Sequence, residues 1–438
     1  MRKQQLKASL SLLWVLSPWA GAATLYQSAD SQINAKLQGA VGVFHSDESY
    51  GQTGVRKPGG SDWQEAVLQY GMDFKHSTHN YGQLYGGLDW VSSATFGDGD
   101  AAGWTLGDER TTKLENAYLG WKSAALFPLL GQDGLDLSLG RQTVVIGDGF
   151  LMSGDALNLG KGLLDGEVNR GGAYYLTGRK AFDQTAIVRW GGDRGWRGDL
   201  MWLKSDNPAQ AKPELAVTTL EHVSDPGTVG LTHIKVIDTD DRLAEQLYPE
   251  RRGMKLSSLR AQGNAGVSNL FLAGEHAWED KASGDESAWY MEAGWSFAEL
   301  PAKPVINYRY SRFSEGYDPL FYGNGRALGT WFQGEVAGNY AGPFNSNVAV
   351  QHIGIKAAVS DTLNIGALLY SFDTLDTRLG NRDGRELDLY AEWAIDAHWA
   401  LLPLVGMYKP ERSAEENGSQ LGGAQRNVYA QLLLAWTF

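Results

Sequence analysis

The sequence predicts an all-β chain, a transmembrane antiparallel β-barrel of about 18 strands, and three observations predict it. Segment after segment alternates apolar and polar residues with period two. Past the first two dozen residues no run approaches the roughly 18 consecutive apolar residues of a membrane helix. The connections between alternating segments switch between long and short, as outer loops and inner turns of a membrane barrel do.

The chain begins with Arg2, Lys3 and Lys7, an apolar run from Leu10 to Leu16, and the small residues Ala20, Gly21, Ala22 and Ala23. This is the pattern of a secretory signal peptide over 1–23, cut after Ala22 or Ala23, with the barrel over 24–438. The run is too short to anchor in a bilayer.

The first strand follows at Ser31 to Ser46, where Ile33, Ala35, Leu37, Gly39, Val41 and Val43 alternate with Gln32, Asn34, Lys36, Gln38, Ala40 and Gly42. Helical spacing would scatter those polar residues, whereas period two puts them on one face. The same rhythm runs through Ala66–Phe74, Leu84–Trp90, Ala117–Trp121 and Leu135–Leu139, then Ala186–Trp190, Trp289–Phe297, Ile306–Tyr310 and Leu387–Ile395. Between them 45–62 and 92–112 are long and 76–80 is short. Towards the other end 360–361 is short, 374–385 long, 396–397 short and 408–426 long. One stretch breaks the rhythm. Lys204 to Val229 carries Pro208, Pro213 and Pro226 and is long where a short turn is expected. Either that turn is extended or a further strand lies between 171 and 204, so the count holds to within about two strands.

The last strand, Asn427 to Phe438, has Val428, Ala430, Leu432, Leu434, Trp436 and Phe438 on one face. Tyr429, Gln431, Leu433, Ala435 and Thr437 take the other, and Ile33–Val43 is the expected partner that closes the barrel. Phe438 has the character of an assembly signal read by the barrel assembly machinery. Trp90, Trp121, Trp190, Trp202, Trp295, Trp393 and Trp436 are placed for the headgroup level of outer-membrane lipid, the alternating faces being too polar to give them a second apolar layer.

The absence of cysteine removes disulfides from the account. Loss of Arg2, Lys3 and Lys7 takes the charge from −13 to about −16, which argues against nucleic acid as a partner. Enzyme motifs are missing too. The eight histidines include no H-E-x-x-H pair, no G-x-S-x-G elbow occurs, and His276 and His352 have no nucleophile beside them in sequence. No cofactor is implied. Asp98 and Asp100, with Asp108 and Glu109 nearby, are a weak calcium candidate; a solvated acidic loop is the plainer reading.

What remains is the lumen. Lys36, Glu65, Arg189, Arg309, Lys356, Asp388 and Glu392 fall on faces opposite apolar ones, and charge on the lipid face would be costly, so they should line the pore. Such residues either brace the wall in pairs or form a field that sorts ions. Leu139-Gly-Arg-Gln142 with Gly147-Asp-Gly-Phe150, Tyr317-Asp-Pro-Leu-Phe-Tyr-Gly323 with Gly329-Thr-Trp-Phe332, and Glu386-Leu-Asp-Leu-Tyr-Ala-Glu-Trp393 resemble the alginate-export family of outer-membrane porins. The resemblance implies a monomeric barrel of 18 strands. It also implies a Gly-Arg-Gln strand leading into a loop that enters the pore, and a polyanionic sugar chain passing lumen arginines. It adds Arg141 to the pore-lining set. The acidic candidates Glu386, Asp388 and Glu392 depart from that pattern.

The expectation is a non-enzymatic channel of the bacterial outer membrane. It would pass polar or anionic solutes, among them an alginate-like polymer, and be narrowed by loops 144–170 and 314–346. A general or nutrient-specific small-solute porin, and a receptor or adhesin displaying loops from a closed barrel, are the alternatives.

Overall fold

The computed structural model describes residues 23–78, 81–323, 334–342 and 344–438, so the expected signal peptide falls outside the described residues apart from residue 23. Eighteen strands form one closed antiparallel sheet. They are β1 Ser31–Ser46, β2 Ser61–Ser77, β3 Gln83–Gly97, β4 Arg110–Lys122, β5 Leu135–Thr143 and β6 Ala181–Trp190. Then come β7 Gly195–Lys204, β8 Glu214–Ser224, β9 Gly227–Asp238, β10 Lys255–Gly263, β11 Leu270–Lys281 and β12 Gly284–Ser296. The last six are β13 Val305–Phe313, β14 Val348–Ala358, β15 Leu363–Thr374, β16 Gly384–Ala394, β17 Trp399–Pro410 and β18 Asn427–Thr437.

Each strand pairs with its neighbours in sequence, and β18 returns to β1 from Gln38 opposite Thr437 to Ser46 opposite Tyr429. The closing register therefore lies further along β1 than Ile33–Val43. A short strand, Thr24–Gln27, pairs with Gln32–Asn34 and occupies the part of the edge that β18 does not reach. The two together leave little of that edge without a partner, which is the condition hydrocarbon imposes on a sheet.

The period-two sets sort as predicted. Leu37, Val41, Met72, Leu139, Met291, Trp393 and Leu432 are exposed on the outer face, while Tyr429, Gln431, Leu433 and Ala435 are buried inside. Trp90, Trp295 and Trp393 are exposed as well. Trp121 donates its indole N–H to the Tyr81 carbonyl at 2.7 Å, and Trp202 donates to Glu214 at 2.8 Å. An apolar ring with a satisfied polar tip suits a membrane interface.

Loop lengths also separate by end. Turns 191–194, 225–226, 359–362 and 395–398 lie at one end, and 47–60, 144–180, 314–347 and 411–426 at the other. The stretch that broke the rhythm resolves into a further strand. Both β6 and β7 lie within 181–204, so 205–213 belongs to the long-loop end and Pro226 sits in a two-residue turn. One connection at the long-loop end, 282–283, is itself only a hairpin turn.

The interior differs from the expectation in one respect. The inner faces are not too polar for an apolar layer, because strand residues beside the seam and residues of the inward loops supply one together. Phe44 stacks on Trp63 with ring centroids 5.0 Å apart, and Tyr340 meets Trp63 edge-on at 5.5 Å. Tyr175, Tyr429 and Leu433 extend the cluster, and Trp63 is fully buried. Much of the lumen at the long-loop end is thus packed protein. Trp63→Ala should cost about 3–5 kcal/mol of stability, as large aromatic truncations in packed cores do. A lower urea midpoint for the folded barrel is the expected readout, and an unchanged midpoint would show that this cluster carries no packing energy.

Candidate functional site

After β5 the chain runs into the lumen instead of turning back along the wall. Gly147 and Gly149 adopt φ of 59° and 94°, which side chains disfavour, and so permit a tight hairpin in which Val145–Ile146 pairs with Met152–Ser153. Phe150 behind the tip packs on Tyr290 of β12 at 5.2 Å and on Phe313 of β13 at 6.0 Å. The Tyr290 hydroxyl donates to Asp148 at 2.7 Å. The hairpin has crossed from β5 to the wall of β12 and β13.

There it meets the second inward loop. The amide of Ser153 donates to the Phe321 carbonyl at 2.8 Å, and that of Gly323 to the Gly149 carbonyl at 2.9 Å. Phe321 also packs on Phe182 at 5.0 Å. Arg251 grips Asp318 with two nitrogens, at 2.7 and 2.5 Å, and fixes the start of this loop. The two loops form one hydrogen-bonded partition across the lumen.

A buried ion network holds the root of the first loop. Asp206 receives Arg141 at 2.9 Å, Arg170 at 3.2 Å and Arg179 at 3.1 Å. Arg141 also reaches Asp183 at 2.7 Å, and Arg170 reaches Asp155 at 3.2 Å. Burial pushes the Asp206 carboxyl up, but Arg170, Arg141 and Arg179 together hold it below the usual carboxylate range. Glu115 accepts the amides of Lys180 at 2.6 Å and Ala181 at 2.8 Å, which fixes where the loop rejoins β6.

Beside the partition a cavity of about 1910 Å³ extends to the short-turn end. Its lining carries a ladder of alternating charge. On one wall Arg189 lies between Asp136 and Asp199, 3.8 Å from each. Glu221 lies between Arg197, at 2.7 Å, and Arg260. Gly230 separates these last two strands, and a Cβ there would lie 3.0 Å from the Arg260 Nε. The missing side chain lets the guanidinium cross β9. Along β12 to β16, Glu292 accepts Asn307 at 3.0 Å, and Lys356 meets Glu392 at 2.5 Å. Val145 to Asp148, at the hairpin tip, line the same cavity.

The predicted lumen residues are divided among these features. Arg189, Lys356 and Glu392 line the cavity. Lys36 pairs with Asp89 at 3.0 Å on the inner face of β1 to β3. Arg141 belongs to the buried network, and Arg309 is fully buried 3.8 Å from Glu292. Glu386 accepts the amides of Val336 and Ala337, both at 2.8 Å, and is covered by segment 334–342. Asp388 is buried beside it. Glu335 on the covering segment accepts the Tyr175 hydroxyl at 2.7 Å. Burial, offset in part by Tyr175 and reinforced by Glu386, pushes the Glu335 carboxyl up to about 8.

Asp98 and Asp100 are occupied by amides. Asp100 accepts Ala102, Trp104 and Thr105, and Asp98 accepts Asp62. No trio of His, Asp or Glu among the described residues is placed to hold a metal ion. Arg170, Arg179, Asp206 and Glu335 carry no mark in the sequence, since loop residues have no strand phase to show them as inward.

No family model matches the chain, and no curated protein matches it in sequence. Solved structures do match in fold. Pseudomonas aeruginosa OccK5 (OpdH) superposes with a TM-score of 0.57 at 7% identity, over 92% of this chain and 98% of that one. A BenF-like porin from Pseudomonas fluorescens Pf-5 gives 0.57 at 9%, over 93% and 98%. Pseudomonas aeruginosa OccK11 (OpdR) gives 0.54 at 12%, over 92% and 96%. The fold is therefore the 18-strand barrel of outer-membrane porins. Of the motifs resembling the alginate-export family, Gly329–Phe332 falls outside the described residues.

Two predictions follow from the charges. Arg170→Ala takes from the fully buried Asp155 its cationic partner, while Asp206 keeps Arg141 and Arg179, and breaking such a buried pair costs about 3–5 kcal/mol. Early proteolysis within 144–180 is the expected sign, and wild-type resistance would contradict it. Glu335 keeps its proton in the packed state up to about 8, against an ordinary 4.5, so packing of 334–342 loses stability as pH rises through that window. Amide exchange in 334–342, corrected for intrinsic rate, should accelerate from about 4.5 to about 8, and Glu335→Gln should flatten the profile. A flat wild-type profile would contradict the assignment.

Proposed function

We propose that the chain is a channel of the bacterial outer membrane for small polar solutes, and that it carries out no enzymatic chemistry. The observation that carries this reading is the partition of two inward loops, hydrogen-bonded from Ser153 to Phe321 and from Gly323 to Gly149, beside an open cavity of about 1910 Å³. The fold shared with solved porins and the apolar outer face support the membrane seat. Lys36, Arg141, Arg189, Arg309, Lys356, Glu386, Asp388 and Glu392 remain the proposed lumen set. Within it, Arg189, Lys356 and Glu392 meet the solute and the others hold wall and loops.

This favours the small-solute porin over polymer export. A polysaccharide needs a continuous bore along its length, and the joined loops occupy the direct route. The ladder carries both signs in close alternation, which suits polar and charged small molecules and gives a long polyanion acidic neighbours at every step. Phe438, whose amide donates to the Leu37 carbonyl at 2.7 Å and whose ring stacks on His398 at 4.7 Å, serves assembly and not transport.

Reconstituted in planar bilayers, the full chain should give discrete ohmic conductance. Removing residues 145–152 should raise it several-fold by widening the narrowest section. Liposomes carrying the chain should admit small sugars and amino acids, with no block by alginate oligomers. A folded chain that conducts nothing would leave the receptor reading, and block by oligomers at low concentration would restore polymer export.

A further inference from the structure

The geometry points to a lipid-binding groove on the outer face of β2 to β4. It takes a phosphorylated lipid of the outer leaflet, with the phosphate on Arg110 and an acyl chain along Ala94 and Ala66. The proposal rests on the outer-membrane seat proposed above and is independent of what the channel carries.

The outer face is paved elsewhere with Leu, Val, Ile and Trp, many of them exposed. Here two cross-strand rows depart from that. Ala66 stands opposite Ala94, and Ala94 opposite Arg110. Leu68 stands opposite Ser92, and Ser92 opposite Thr112. The small side chains leave a mainly apolar groove of about 630 Å³, with Trp436 and Val41 on its far side. Trp436 is fixed there because its ring lies against Gly39, where a Cβ would come within 2.5 Å of it. The hydroxyls of Ser92 and Thr112 bond each other at 2.8 Å, so the floor presents no unsatisfied polar atom to hydrocarbon.

Arg110 supplies the second requirement. It begins β4 at the long-loop end, the headgroup level on that side, and its guanidinium lies 3.7 Å from the centre of the exposed Phe96 ring. It donates to the carbonyls of Thr95 and Glu109, which fix its position without neutralising it. No carboxylate among the described residues is paired with it: nearby Asp108 is taken by Lys161 at 2.7 Å. A fixed cation with no ion-pair partner among the described residues, at the mouth of an apolar groove, is complementary to a phosphate carried on acyl chains. A neutral lipid would fill the groove but leave the charge unmet.

Native mass spectrometry of the full chain, extracted in neutral detergent and supplied with lipid A or with diacylglycerol, which has acyl chains and no phosphate, tests this. Lipid A should remain bound as a single adduct and diacylglycerol should not. Arg110→Gln should weaken retention about fivefold, the worth of one cation near an anionic headgroup. Ala94→Leu, which fills the groove and keeps the cation, should also lose the adduct. Both substitutions face outward, and heat-modifiable migration on gels confirms that each barrel has folded. Equal retention by wild type and both variants would overturn the site. Ala94→Leu dissolving an oligomer with lipid A untouched would also overturn it, giving the groove to a second copy. A chain that binds lipid A but never conducts would sink the channel reading alone, and a conducting chain with no adduct would sink the groove alone.

Discussion

Closure of the backbone hydrogen-bond ladder is the constraint on which everything else in this molecule depends. A sheet edge facing hydrocarbon would leave a row of N–H and C=O groups without partners, each costing several kcal/mol, roughly. β18 pairing with β1 from Thr437 to Tyr429, with Thr24–Gln27 extending the seam, removes that edge. Once the sheet is closed, period two leaves each side chain a choice of outside or inside. The outer choice explains the apolar set from Leu37 to Leu432. The inner one creates a second problem, since a lumen of this size must be filled, bridged or left to water.

The chain uses all three solutions in different sectors. Next to the seam, aromatic packing of Phe44, Trp63, Tyr175, Tyr340 and Tyr429 fills the lumen. The hairpin at 145–153 and the strand-like contact at Phe321 bridge it. Beside them, water-accessible space is edged by ion pairs set on adjacent strands, where a cross-strand partner is always a few ångströms away. Buried charge is costly without a partner, and the cluster of Arg141, Arg170 and Arg179 meets that cost with Asp155, Asp183 and Asp206. The same network roots the loop that narrows the lumen, so wall stability and pore geometry are set by one group of residues.

What could be read from the sequence was whatever the pleat determines. The faces of Ser31–Ser46 and Asn427–Thr437 follow from alternation alone, and so do the inward phases of Arg189, Lys356 and Glu392. The readings that failed did so where alternation stops. A register shift between Gly140 and Gln142, with Gly140 at φ 116°, turns Arg141 inward against the alternation of Leu135, Leu137 and Leu139, so its place inside follows from the family resemblance and not from strand phase. The turn at Gly191-Gly-Asp-Arg194 is short enough for β6 and β7 to read as one segment, which displaced the loop assignment as far as Val229. Glu386 and Asp388 have the expected phase but lie beneath 334–342, because a strand pattern says which way a side chain points and not what comes to cover it. Trp63 is likewise covered by residues that its own strand does not announce: Phe44 from β1, Tyr429 from β18 and Tyr340 from the loop segment 334–342.

The central claim is that the two inward loops rest joined inside the lumen and together set its bore. The absence of native cysteine permits a direct measurement, with Ser153→Cys and Gly323→Cys as the only thiols in the chain. A Cβ built at Gly323 lies 2.4 Å from the Ser153 Cβ, so the loops must part by about 1–1.5 Å to reach the Cβ separation of a disulfide. Single-channel conductance recorded before and after reduction should be nearly the same, because the disulfide would hold the loops close to where they already rest. Failure of the pair to cross-link, or a conductance that rises markedly when the bond is reduced, would contradict the account.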